Sequence, residues 1–173
     1  MPDKFDDPPQ WLWVPLASAA ALAVPGLVAL VTHRLLLFAS LGPTAVTIAQ
    51  QPLQPSARTY NALVGHALGF ATGAAVVVAF GLTHAASVFV VHELTVRRVG
   101  AAILAIAIAA LLELALRAKH PPAASTTLLV ALGSFHPTWN DTLLVLGGVV
   151  LVTAAGELLR RVRLRLSRLE HVL

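Results

Sequence analysis

Three long stretches of the sequence contain no Asp, Glu, Lys or Arg: residues 8–33, 59–92 and 120–140. Each stretch is longer than the roughly 20 apolar residues that an α-helix needs to cross a lipid bilayer. A chain of 173 residues has no soluble core large enough to bury several such helices. Charged residues make up only 12% of the chain. We therefore expect an integral membrane protein with a single compact domain.

The basic residues and the missing cysteines narrow the classes of function. The sequence has no cysteine, which excludes disulfides, thiolate metal sites and a cysteine nucleophile. No nucleophile–base pair, carboxylate pair or metal-ligand motif stands out, so we expect no enzyme and no cofactor. No aromatic side chains interleave with the basic residues near the C-terminus, so nucleic-acid binding is not expected either. Those residues are Arg160, Arg161, Arg163, Arg165 and Arg168.

Apolar segments divide the chain into two halves of similar layout. Two short segments, 35–50 and 123–133, contain or directly follow prolines. We predict an all-α integral membrane protein with four full transmembrane helices plus two short, proline-interrupted helices, re-entrant or half, in two pseudo-repeated halves. Alternatively, the two short segments are unrelated pieces that fill gaps in the bundle. The four segments long enough to cross a bilayer are 11–31, 61–83, 100–116 and 142–159.

The distribution of basic residues predicts the orientation of the chain. Both termini are expected in the cytoplasm of a cell (inner or plasma) membrane, because short cytoplasmic segments carry an excess of Lys and Arg. This holds with four crossings, if the short segments dip in and return, and with six, if they pass through. The chain is thus divided into an N-terminal polar segment over 1–10, a transmembrane domain over 11–159 and a basic cytoplasmic tail over 160–173.

Glycines at intervals of four mark one face of the second long segment. Gly65, Gly69 and Gly73 form a stripe of small residues that lets helix backbones approach closely in lipid. We expect this segment to be packed inside the bundle. With so few spans, a homo-oligomer is also expected, and the glycine stripe is one surface that would mediate it.

A run of residues beginning at His120 carries the clearest functional signal. Proline suits the first turn of a helix, so Pro121 and Pro122 predict that a helix begins here. The N–H groups of residues 123–126 would then lack partners near membrane depth, and they would face protein, water or an anion. Ser125, Thr126 and Thr127 add hydroxyl donors at the same place. The alternative is an ordinary helix cap whose hydroxyls bond back to the preceding turn.

The first half contains a segment of the same kind. Gly42 suits a turn, Pro43 suits the first helical position, and small or hydroxylated residues follow. Ser40 and Thr44 flank these two residues. Two helix starts of this type predict two anion sites, or one shared site.

The tripeptide His120-Pro121-Pro122, the upstream Leu41-Gly42-Pro43 and the block from Asn61 to His66 together resemble the HPP family of small integral membrane proteins. The resemblance covers roughly residues 35–158. It implies four membrane-spanning helices and, from family members associated with nitrite transport, a small-anion transporter. One departure is that Ala123 and Ala124 stand where the family commonly has glycine.

These arguments lead to a prediction of function. We expect transport of a small monovalent anion, nitrite or nitrate, through a site at the starts of the two short helices; the alternatives are an anion channel, or a non-transporting membrane subunit that binds a partner or lipid. Arg58, Arg117 and Lys119 are predicted to concentrate anions at the entrances. Glu113 is expected to pair with Arg117, four residues later on the same helix. The predicted substrate-binding residues are Ser40, Gly42, Pro43, Thr44, Asn61, His66, His120, Pro121, Pro122, Ala123, Ala124, Ser125 and Thr126.

Overall fold

The computed structural model describes residues 9–169, and within this range its regular elements are helices, without strands. The N-terminal polar segment predicted over 1–10 therefore lies almost wholly outside the described residues, as do residues 170–173 of the predicted tail. A single 3-10 turn, Pro55–Ala57, precedes the third helix. The α-helices are α1 (Gln10–Thr32), α2 (Leu41–Gln50), α3 (Thr59–Ala79), α4 (Val88–Val91), α5 (Val96–Ala115), α6 (Ala123–Ala131) and α7 (Trp139–Leu169).

Four of these helices are long and apolar enough to cross a membrane. Their outer faces expose large apolar side chains such as Leu27, Ile103 and Leu143, as expected where the surrounding medium is lipid rather than water. This confirms the prediction of an all-α integral membrane protein with four long spans. The candidate spans are Gln10–Thr32, Thr59–Ala79, Val96–Ala115 and Trp139–Ser167.

Caps and positive backbone angles place several helix ends a few residues from their predicted positions. Thr95 Oγ1 accepts a hydrogen bond from Arg98 N at 3.2 Å, which starts α5 before the predicted position at 100. Gly81, with a φ of 64°, follows the end of α3, so the helix stops short of the predicted residue 83. α7 continues to Leu169, and the predicted tail boundary at 160 falls inside it.

α1 and α7 lie side by side and run in opposite directions. Near the start of α1, the Trp13 ring lies 5.7 Å from the guanidinium carbon of Arg163, close to the end of α7. Shortly after α1, Leu36 lies close to the first part of α7, since a Cβ on Gly147 would lie 3.4 Å from its side chain and one on Gly148 would lie 2.6 Å from its carbonyl oxygen. The start of α1 and the end of α7 are therefore at the same end of the bundle.

α2 turns back along both of these helices. A Cβ on Gly148 would lie 3.3 Å from Leu41, at the start of α2, and one on Gly156 would lie 3.1 Å from Ile48, near its end. Because the contacts advance together along both helices, α2 runs parallel to α7 and antiparallel to α1. The chain thus returns to the end at which α1 began.

α6 runs parallel to α3, and the glycine stripe is their interface. A Cβ on Gly65 would lie 3.3 Å from that of Ala123, and one on Gly73 would lie 2.9 Å from that of Val130. The prediction that this segment packs inside the bundle is confirmed, with half of it buried. The prediction that the stripe mediates an oligomer is wrong, because α6 of the same chain covers it. The predicted homo-oligomer therefore needs another surface.

Contacts of α3 with α5 and α7 fix the remaining directions. Tyr60 Oη, at the start of α3, donates to the Leu116 carbonyl oxygen at 3.1 Å, directly after α5, so these two helices are antiparallel. Further along α3, Leu63 packs against the cluster that holds Val149 and Val152, and Phe70 belongs to the cluster that holds Val145. α3 is therefore antiparallel to α7 as well. It follows that α1, α3 and α6 run one way, and α2, α5 and α7 run the other.

These directions gather most of the basic residues at one end of the bundle, which we call the basic end. It holds the start of α1, the ends of α2, α5 and α7, and the start of α3. Arg34 and the Arg97–Arg98 pair lie at the other end. Of the basic residues whose side chains the structure describes, those at the basic end are Arg58, Arg117, Lys119, Arg160, Arg161, Arg163 and Arg165.

Candidate functional site: a buried histidine–hydroxyl cluster

The starts of the two short helices meet in the interior of the bundle. Ser40, directly before α2, and Thr126, in the first turn of α6, place their hydroxyl oxygens 2.8 Å apart across 86 positions of sequence. Both residues are fully buried. Their backbones reach this point because α2 descends along α7 while α6 ascends along α3.

Two buried histidines join the hydroxyls at this junction. His66 Nε2 lies 2.8 Å from Thr44 Oγ1, and His66 Nδ1 lies 2.7 Å from Thr126 Oγ1. His120 Nε2 lies 3.3 Å from the same Thr44 oxygen. The two rings meet edge to face, with centroids 5.1 Å apart. We call this group the histidine–hydroxyl cluster, and its members are Ser40, Thr44, His66, His120 and Thr126.

The backbone around the cluster explains why these side chains converge. Gly65 allows the His120 segment to approach α3 closely, since a Cβ on it would lie only 3.0 Å from His120 Cβ. The His120 ring is fixed from its other side, where Nδ1 donates to the Ser56 carbonyl oxygen at 2.7 Å. Thr44 Oγ1 also donates to the Ser40 carbonyl oxygen, one helical turn back. The ring of His120 thus bridges the loop before α3 and the start of α2.

The first N–H groups of α6 are not open donors, which corrects one expectation from the sequence. Ala123, Ala124 and Ser125 donate to the carbonyl oxygens of residues 120–122 at 2.8, 3.1 and 3.1 Å. Pro122 has helical angles, so the turn before α6 already supplies carbonyls to these groups. The hydrogen bonds that cross the junction are made by side-chain hydroxyls and imidazoles.

The other predicted site residues lie around the cluster rather than in it. Pro43 and Pro121 are exposed, Gly42 is half-buried, and Pro122 is buried. Pro121 and Ala124 line an apolar cavity of about 360 Å³ beside α5. Ala123 is buried against Gly65, and Ser125 is half-buried. The structure therefore brings together five of the predicted side chains and leaves the prolines and alanines as their backbone support.

Asn61 links the predicted entrance charges to the site. Its side-chain amide donates to the carbonyl oxygens of Arg117 and Lys119 at 3.3 and 3.1 Å. Arg58 directly precedes α3, on which Asn61 lies. All three basic residues are exposed at the basic end. Arg117 and Lys119 belong to the segment that leads from α5 into His120, whereas Arg58 lies at the start of α3.

The predicted pair of Glu113 with Arg117 is wrong. α5 ends at Ala115, and Arg117 has a φ of 52°, so the helical spacing that the pair needs is lost. Glu113 Oε2 instead accepts a hydrogen bond from His120 N at 3.0 Å. The buried carboxylate therefore holds the backbone of the segment that carries the histidine.

Two buried arginines, which the sequence analysis treated only as surface charge, stabilise the far ends of the short helices. Arg98 donates to the carbonyl oxygen of Ala131, the last residue of α6, at 2.9 Å. Arg163 donates to the carbonyl oxygen of Ala49, near the end of α2, at 2.9 Å. Cations at helix C-termini offset the negative end of the helix dipole. The sequence could have indicated buried roles for Arg98 and Arg163, because each lies within a mainly apolar helix.

The fold and the site define an integral membrane protein of helices, in which two short helices begin face to face at a buried polar cluster. The family model described as "HPP, transmembrane region" matches residues 4–167. Because the match covers nearly the whole chain, the protein belongs to the HPP family, as the resemblance in sequence had indicated. Neither the curated proteins nor the solved structures that were searched gave a match.

Proposed function

We propose that this HPP-family protein transports a small monovalent anion, nitrite or nitrate, past the junction of α2 and α6. Membership of the family favours a role in membrane transport. The observation that carries the proposal is the 2.8 Å contact between Ser40 and Thr126. It puts the two helix starts, which are the positive ends of their dipoles, at one buried point.

The chemistry of the cluster suits a small anion. The hydroxyls of Ser40, Thr44 and Thr126 and the two imidazoles are hydrogen-bonded to one another and fully buried. An anion that enters would accept bonds from these donors in place of their mutual contacts. Such an exchange keeps buried polar groups paired, and an unpaired buried group costs about 1–3 kcal/mol. A ligand without acceptors would leave them unpaired.

We also propose that the two halves are repeats of opposite orientation. α1, α2 and α3 run up, down and up, whereas α5, α6 and α7 run down, up and down. Each short helix packs on the last long helix of the other half, as the contacts of Gly148 with Leu41 and of Gly69 with Thr127 illustrate. Inverted repeats with broken helices are typical of transporters whose substrate binds near the membrane midplane.

In this arrangement the chain passes through the membrane six times, and the basic end is cytoplasmic. The two short helices, each with its preceding extended segment, supply the additional passes. The excess of Lys and Arg at the end that holds Arg58, Arg117 and Lys119 favours this orientation. The same residues would raise the local concentration of anions at the cytoplasmic entrance.

The experiment compares two neighbouring threonines of α6. Thr126→Val removes a hydroxyl from the cluster, whereas Thr127→Val removes a buried hydroxyl whose hydrogen bond, within the described residues, runs back to the Ala123 carbonyl oxygen at 3.3 Å. Both changes keep the shape of the side chain and the helix. In proteoliposomes, we expect Thr126→Val to lower nitrite and nitrate uptake by at least about tenfold, equivalent to about 1.4 kcal/mol.

Thr127→Val should keep most of the wild-type uptake. Equal uptake by the two variants would show that the anion does not contact the cluster. Uptake that saturates with anion concentration would favour a carrier, and uptake that does not would favour the channel alternative. Absence of uptake in a correctly folded wild-type protein would leave the alternative of a non-transporting subunit.

A further inference from the structure

The histidine–hydroxyl cluster has one more hydrogen-bond contact than it has hydrogens. Three contacts join side chains across the junction, namely Ser40 to Thr126, Thr126 to His66, and His66 to Thr44. A fourth joins Thr44 to His120. Two more contacts end on the carbonyl oxygens of Ser40 and Ser56, which makes six.

The hydrogens available in the neutral cluster number only five. Each of the three hydroxyls carries one hydrogen, and each neutral imidazole carries one. A hydrogen bond needs its own hydrogen, so one of the six contacts must lack one whichever tautomers the rings adopt. Because the Ser56 carbonyl can only accept, the hydrogen of neutral His120 lies on Nδ1.

The contact that lacks a hydrogen can be identified by its length. His120 Nε2 and Thr44 Oγ1 are 3.3 Å apart, the longest of the six distances; the others lie between 2.7 and 2.9 Å. When Thr44 donates to the Ser40 carbonyl, it faces His120 Nε2 with a lone pair. A proton added to His120 Nε2 would complete this contact and leave every member of the cluster satisfied.

We propose that the cluster takes up one proton, on His120 Nε2, together with the transported anion. This inference rests on the proposed function, and it makes transport a symport of one proton with one monovalent anion. The pair carries no net charge, so the buried site need not hold an uncompensated charge, which would be very costly. The proton is bound from water and is returned to water on the other side of the membrane, with no other bond changed.

The surroundings of His120 are compatible with a positive ring. The titratable groups that face it are His66 on α3, with ring centroids 5.1 Å away, and Glu113 on α5, whose Oε2 lies 3.0 Å from His120 N. α2 presents the Thr44 hydroxyl, and the 3-10 turn presents the Ser56 carbonyl oxygen. The ring is fully buried, so a positive charge on it is stable only when the negative charge of the bound anion compensates it.

The test uses nitrate, because its acid is strong and does not cross lipid in the neutral form. Proteoliposomes containing a pH-sensitive dye are exposed to an inward nitrate gradient. We expect one proton to enter per nitrate, and the rate to be insensitive to an imposed membrane potential. His120→Gln should abolish the proton signal, whereas the matched control His84→Gln, an exposed histidine of the connector between α3 and α5, should keep it.

Nitrate uptake without proton entry would overturn the symport and leave anion transport intact. If the folded protein moves neither nitrate nor nitrite, the proposed function fails, and the proton site is decided by ¹⁵N spectra of histidine-labelled protein. The proposal predicts that, in spectra taken from pH 8 to pH 5 with nitrate present, His120 Nε2 gains a proton while Nδ1 keeps its own. A His120 Nε2 that stays unprotonated over this range, with and without nitrate, would refute the site.

Discussion

Replacing Gly69 by alanine tests whether the close packing of α3 on α6 holds the cluster together. A Cβ at this position would lie 2.8 Å from Thr127 Oγ1 and 2.9 Å from the Ala123 carbonyl oxygen. The hydroxyl can rotate away, but the carbonyl belongs to the backbone of α6. The variant therefore fits only if α6 moves outward, and Thr126 moves with it.

The size of the effect follows from two opposing contributions to the free energy of unfolding. Overpacking of this kind costs about 1–3 kcal/mol. Alanine is the better helix former, which returns at most about 1 kcal/mol. We expect Gly69→Ala to be destabilised by about 1–2 kcal/mol, roughly a 5- to 30-fold change in the ratio of folded to unfolded protein.

The assay is reversible unfolding in mixed micelles with increasing dodecyl sulfate, followed by circular dichroism. Gly26→Ala in α1 is the matched control, because among the described residues its Cβ would meet only Leu37 Cδ2, at an ordinary 3.6 Å. Thr127→Ala in the Gly69→Ala background should restore only part of the loss, since the Ala123 carbonyl remains. If Gly69→Ala unfolds at the same detergent fraction as Gly26→Ala, the packing argument fails.

Three further predictions concern the ends of the bundle. The six-pass arrangement places Arg117 and Ser167 on the cytoplasmic side and His84 on the other side. Cysteines replacing Arg117 and Ser167 should therefore both be protected from an impermeant thiol reagent in intact cells, whereas a cysteine at His84 should react. Labelling at 117 but not at 167 would rule out this arrangement. Arg98→Gln should lower the free energy of unfolding by about 2–3 kcal/mol, because the carbonyl oxygens of Ala85, Ala86 and the buried Ala131 lose a charged donor. A stability equal to wild type, in the same unfolding assay, would refute this. Arg58→Gln should reduce anion uptake at low salt and have little effect at high salt, where the attraction is screened; a defect independent of ionic strength would mean that this residue contacts the anion directly.

The sequence by itself determined the class of protein and the number of long helices. The stretches without charged residues are long enough to cross a bilayer, and so many apolar residues could not all be buried in a soluble domain of this size. Prolines limit where helices can begin. The two prolines also indicated from the sequence that a helix, α6, begins near Pro122. Five of the residues of the predicted site, from Ser40 to Thr126, do meet, because small polar side chains within apolar segments need partners there.

Only the tertiary structure decided which groups face one another. The sequence does not show that α6 covers the glycine stripe, since Gly65, Gly69 and Gly73 would suit any neighbouring helix. Glu113 and Arg117 have the spacing of a helical pair, but the helix ends between them and the carboxylate bonds to His120 N instead. The directions of α2 and α6 depend on contacts between residues far apart in the chain. Those contacts are set by packing across the whole bundle, and local residue patterns do not encode them.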